Sequence, residues 1–99
     1  MIIIAGTLTV DPDERERYLA AVSDVAPAAR RAPGCLDFVQ APDPVDPGRI
    51  NVYERWESDE DLHRFRTSGG PDPDAADSEV PEIRSADVHK YRISAVEAP

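Results

Sequence analysis

The chain is 99 residues long, with 20 acidic against 11 basic side chains and a formal net charge of −9. That length predicts one domain spanning 1–99, with a thin core, because a chain this short buries only about two-thirds of its unfolded surface. The acidic balance argues against nucleic acid and anionic membranes as partners, since both select Lys/Arg-rich faces.

Residues 2–10, IIIAGTLTV, are β-branched and alternate, which predicts a strand with Ile2, Ile4, Leu8 and Val10 on one face. Asp11-Pro12-Asp13-Glu14 opens a helix, with Asp11 as N-cap, Pro12 at the first helical position and Glu14 at capping-box spacing. Tyr18, Val22, Val25 and Ala29 form its apolar stripe, and Pro33-Gly34 stops it. Pro27 lies inside that stretch and predicts a kink. Residues 35–41 predict a second strand, followed by a proline-rich turn.

Residues 49–57, RINVYERWE, predict a third strand. Ile50, Val52, Glu54 and Trp56 point one way; Asn51, Tyr53 and Arg55 point the other. Ser58 and Asp61 cap a second helix that turns Leu62, Phe65 and the Arg66 Cβ inward and ends at Gly69-Gly70. Residues 71–82 are acidic and proline-bearing. They predict a solvated loop with a helical turn near Ala75–Glu79, or a lid hinged at Gly69-Gly70. Residues 86–96 predict the last strand. The order is β-α-β-β-α-β, which is an α+β, ferredoxin-like antiparallel sheet with two helices on one face.

No stretch approaches the ~18 apolar residues of a membrane span, and the apolar start is too short for a signal segment. Cys35 is the only cysteine, so no internal disulfide forms, and a cytoplasmic location is expected. GxGxxG, Walker A and HExxH motifs are absent, and His63 and His89 lack ligand-like spacing. No cofactor is therefore expected, whether metal, flavin or nicotinamide.

Two segments resemble the antibiotic biosynthesis monooxygenase family, including its quinol monooxygenase-like members. One is Asn51–Phe65, NVYERWESDEDLHRF, and the other is Pro33-Gly34-Cys35-Leu36, which leads into the second strand. The resemblance implies a dimeric α+β barrel in which two sheets pack face to face. It also implies a cofactor-independent monooxygenase acting with O2 on a small phenolic, hydroquinone or polyketide-type aromatic. Two other readings stay open: a non-catalytic dimeric barrel holding a small apolar ligand, and a haem-binding or haem-degrading enzyme.

Trp56 is the best-matched position, either stacking on an aromatic substrate and donating its N–H to an oxyanion, or filling the core. Glu54 shares its face, and is either a partly buried base or the partner of an arginine such as Arg64 or Arg84. The family's usual histidine falls where Phe65 stands, and its asparagine where Val52 stands, so these two positions make the expected cavity more apolar. His63 is the one candidate haem ligand, with Thr7 at the polar first-strand position; otherwise it is a solvated histidine. His89 and Tyr91 share one face of the last strand. They supply a base and a phenol to the cavity if that face looks to the helices, and become interface groups if it looks to a partner sheet. Cys35 has no base nearby and is expected to be a small buried residue.

Overall fold

The computed structural model describes residues 1–69 and 81–99. Strands β1 (Ile2–Thr9), β2 (Cys35–Pro42), β3 (Arg49–Trp56) and β4 (Ser85–Arg92) form one sheet in the order β2-β3-β1-β4. All neighbours in it are antiparallel. Helices α1 (Arg15–Ala21), α2 (Val25–Arg31) and α3 (Asp59–Arg64) complete the ferredoxin-like α+β fold.

Alternation along the strands gives the sheet two unlike faces. Ile2, Ile4, Leu8, Ile50, Val52, Glu54 and Trp56 are buried, together with Tyr18, Ala29 and Leu62 from the helices. Ile3, Ala5, Thr7, Asn51, Tyr53 and Arg55 are only half-buried. The helices therefore cover one face and leave the other open.

Three local expectations need correction. The first helical stretch is not one kinked helix: it breaks between Ala21 and Val25. Pro27 has no N–H to give the Ser23 carbonyl, and its ring would clash there, so the break comes one turn earlier. Pro27 then sits in the first turn of α2, where backbone N–H groups have no intrahelical partner anyway. Asp11 does cap, accepting from the Asp13 N–H at 3.0 Å. Glu14 does not complete a capping box; it pairs with Arg17 at 2.7 Å. The last strand ends at Arg92, not Val96, because β1 begins at Ile2, the residue opposite Arg92. One further bond, from Ile93 N–H to the Met1 carbonyl at 3.1 Å, uses up the partner strand. The loop and lid readings for 71–82 fall mostly on residues 70–80, outside those described.

Two glycines permit close approaches. A Cβ on Gly6 would overlap the Asp87 carbonyl of β4, so glycine lets the two strands pair across that point. Gly34 has φ +82°, and a Cβ there would overlap the Asp61 side chain. Its carbonyl accepts from the Glu57 N–H at 2.8 Å, which draws the start of β2 onto the start of α3. Ser58 caps α3, accepting from the Asp61 N–H at 3.2 Å.

Candidate functional site

Every second residue of β3 points at the helices, and the last two such residues are Glu54 and Trp56. Trp56 is fully buried. Its ring lies 5.5 Å from that of Phe65, tilted by 36°, and Phe65 meets Phe38 edge-on at 6.5 Å. Ile2, Ile4, Ala29 and Leu62 close the same cluster. Phe65 stands three residues after Leu62, on the same helical face, where α3 gives way to a π-helical turn, Phe65–Gly69.

Inside this apolar shell sits one carboxyl. Glu54 is 8% exposed, the one buried charged residue among the described residues. Its Oε1 accepts from the Trp56 indole N–H at 3.1 Å. Among the described residues that is the carboxyl's only hydrogen bond. Burial pushes the Glu54 pKa above the usual carboxylate range; the Trp56 N–H and the positive charge of Arg66 pull it part of the way back. An unpaired buried carboxylate is costly, so such a group readily takes up a proton.

The expected arginine partners are engaged elsewhere. Arg64 meets Asp61 at 3.2 Å, and Arg84 meets Asp11 at 3.0 Å. The alternative reading of Glu54 as the partner of either arginine does not hold. The direct stacking and oxyanion roles expected of Trp56 also meet an obstacle in this conformation. Its ring has no exposed surface and its N–H is taken by Glu54.

Val52 and Phe65 share the helix side with this pair and are buried. His89 and Tyr91 do not. In the pairing with β1, Lys90 stands opposite Ile4, while His89 and Tyr91 stand opposite Ala5 and Ile3 on the open face. Tyr91 is 50% exposed, and His89 Nε2 lies 2.7 Å from Asp87 Oδ1. Of the two outcomes expected for them, the open face is the one observed. His63 is exposed on α3, while Thr7 lies on the open face, so the two residues considered for haem lie on opposite sides of the sheet. The Cys35 thiol is pushed up in pKa by burial and then by the charges of Glu54 and Asp37, which disfavours a nucleophilic thiolate.

Among the described residues, clefts border the cluster at three places. One of about 210 Å³ opens beside Phe65, between α2 and α3, with Ala28 and Ala32 on its wall. A second, about 250 Å³, lies beside Phe38 and Gln40 under the α1–α2 break. The third, also about 250 Å³, runs between α3 and β4 and is lined by Asp59, Leu62, His63, Arg66 and Lys90. The sequence places the Arg66 Cβ on the inner side of the second predicted helix, but Lys90 was missed. Lys90 was legible only from the phase of β4: it alternates with His89 and Tyr91, so once those face away it must face inward. Among the described residues, no group of three or more His, Cys, Asp or Glu side chains is placed to hold a metal ion. None of the described helices is long and apolar enough to cross a membrane.

The sequence profile described as antibiotic biosynthesis monooxygenase matches residues 1–75. The chain belongs to the antibiotic biosynthesis monooxygenase family. Solved structures agree, among them several described as "putative antibiotic biosynthesis monooxygenase". That from Deinococcus radiodurans superposes with a TM-score of 0.80 at 20% identity, covering 100% of this chain and 98% of the other. That from Chloroflexus aurantiacus gives 0.72 at 26% identity, over 98% and 96% of the two chains. The Caulobacter crescentus structure gives 0.75 at 25% identity, over 97% and 90%. Curated proteins offer no match.

Proposed function

We propose that this member of the monooxygenase family oxidises a small phenol or hydroquinone with O2 and without a cofactor, using Glu54 as general base. The supporting observation is the buried Glu54 carboxyl, bonded only to the Trp56 indole N–H among the described residues. A carboxylate stripped of solvent is a stronger base than one in water. It takes the phenolic proton, and the resulting electron-rich anion reduces O2 directly. For a phenol with a free para C–H, the ring ends as a quinone. One oxygen atom of O2 becomes the new carbonyl, and the other leaves as water with the two hydrogens lost from the ring and the hydroxyl. Trp56 is then a positioning residue: it holds one oxygen of Glu54 so that the other is free for the substrate. The apolar shell of Phe38, Phe65 and Leu62 keeps water from competing for the proton.

The open face supports a homodimer. Arg55 Nε is buried there with no hydrogen-bond partner among the described residues. Ile3, Ala5, Val39 and Tyr53 beside it are half-buried. A second copy packing sheet to sheet would cover this surface and enlarge a core that one chain leaves thin.

The test is O2 consumption with a panel of phenols that have a free para position, followed by mass analysis after reaction in ¹⁸O2. One labelled atom per quinone is expected. Uptake no faster than spontaneous oxidation across the panel removes the activity and leaves the second reading, an apolar-ligand binder. The fully buried Trp56 ring and the apolar walls beside Phe65 favour that reading.

A further inference from the structure

The cleft between α3 and β4 is positive in a protein that is strongly negative overall. Lys90 Nζ and Arg92 Nη1 each meet a carboxylate oxygen of Asp59 at 2.7 Å. Both oxygens of that carboxylate are therefore occupied, one by each cation. Arg92 and Lys90 hold the Asp59 carboxyl down at a pKa of about 2, so it stays ionised throughout the neutral range. Arg66 lines the same cleft and has no hydrogen bond or ion pair among the described residues. Its charge is felt instead by Glu54. Among the described residues, Arg66, Lys90 and Arg92 thus gather on this side of the sheet with one carboxylate, Asp59, which the last two already saturate. The chain as a whole has a net charge of −9, which makes the local excess of cations a built feature of this cleft.

The cleft lies on the same side of the sheet as the buried carboxyl. Lys90, Ile4 and Glu54 stand in one row across β4, β1 and β3 on the helix side. Adjacent strands lie roughly 4.8 Å apart, so the backbones of Lys90 and Glu54 are about 10 Å apart. Leu62 borders the cleft on one side and packs in the Trp56 cluster on the other. A volume of about 250 Å³ is below the roughly 300–1,000 Å³ of pockets for drug-sized ligands, and suits one or two fused rings.

We propose that this cleft takes the ionised acid group of an aromatic substrate, with Arg66 as the anchoring cation. The substrate class is then an aromatic acid with a phenolic hydroxyl rather than a neutral quinol. A planar guanidinium with free donors matches a carboxylate in two-point fashion, whereas Lys90 and Arg92 are spent on Asp59. Anchoring the acid at Arg66 directs the ring inward past Leu62, towards Glu54. That the anion is a substrate rests on the reading of Glu54 as base; that the cleft selects an anion does not.

Binding is measured with 1-naphthoate and 1-naphthamide, which share a shape, differ in charge and are not oxidised. Titration calorimetry reads the affinity, and the fluorescence of Trp56, the chain's only tryptophan, reports the site. The expected result is 1-naphthoate at least tenfold tighter than 1-naphthamide in the wild type, with the gap closing as salt rises. Arg66→Gln should bring the two ligands within about threefold, and Arg66→Lys should retain part of the preference. Arg66 is exposed, so both variants should fold and melt like the wild type. Equal affinities in the wild type, a preference untouched by Arg66→Gln, or no binding of either ligand overturns the proposal. A charge preference that depends on Arg66, in a protein that consumes no O2 with any phenol, removes the oxidation and leaves the anion site standing.

Discussion

At the scale of single residues, the Trp56–Glu54 pair was half legible in the sequence. Alternation along RINVYERW places both on one face, and that face is the buried one. The bond between them was not legible. Tryptophan at the end of a strand reads equally as a ligand platform or as core, and only the side-chain conformation shows its N–H turned to the carboxyl. Two predictions belong here. The Glu54 pKa is raised on folding, so the folded state binds its proton more tightly than the unfolded chain. Stability contributed by this group is full below the ordinary carboxylate pKa and is lost as pH rises through the raised value. Glu54→Gln keeps an acceptor for the indole and removes the buried charge. It should therefore raise the melting temperature at pH 7, with the gain shrinking as pH falls from the raised Glu54 pKa and gone below pH ~4.5. Equal melting temperatures at pH 7 would show that the carboxyl is solvated. Trp56→Phe should cost roughly 2–3 kcal/mol in denaturant unfolding, from the void left in the cluster and the orphaned carboxyl. It should also lower kcat more than it changes KM, the signature of a residue that orients the base.

Among the elements, β4 was the hardest to place. Its sequence alternates polar residues on both faces, so periodicity does not say which set faces the helices. The answer comes from the pairing with β1 and from Asp59, whose carboxylate reaches Lys90 and Arg92 from the first turn of α3. The split between α1 and α2 was legible as a disturbance at Pro27, but its place was not, because the missing donor is felt a turn upstream. Asp59 gives an element-scale prediction. Its folded pKa, about 2, lies below the ordinary value, so its contribution is full above pH ~4 and is lost as pH falls towards 2. Asp59→Asn should loosen β4 at neutral pH, seen as lower amide protection factors at Val88–Arg92, and those protection factors should no longer fall between pH 4 and 2. Unchanged exchange at neutral pH would mean that backbone pairing with β1 alone holds the strand.

For the whole molecule, the βαββαβ order and the fold were readable from the pattern of strands and caps. The open face was readable too, as the odd-numbered residues of β1 and β3. What covers it is not legible from one chain's periodicity; the proposed dimer rests on the family resemblance and on half-buried positions such as Ala5 and Tyr53. Light scattering should give twice 10.9 kDa for the wild type at micromolar concentration. Ala5→Glu, at the centre of the sheet beside Tyr53 and His89, should give a monomer that is still folded. A wild-type monomer would remove the sheet-to-sheet dimer.

Whether the buried Glu54 carboxylate acts as a base is read from O2 consumption by wild type and Glu54→Gln across pH. The wild type should lose rate as pH falls through the raised Glu54 pKa. Glu54→Gln should be slower by about 10²–10⁴-fold at neutral pH and lack that acid limb. A variant within about threefold of the wild type, with the same pH profile, would contradict the role given to Glu54.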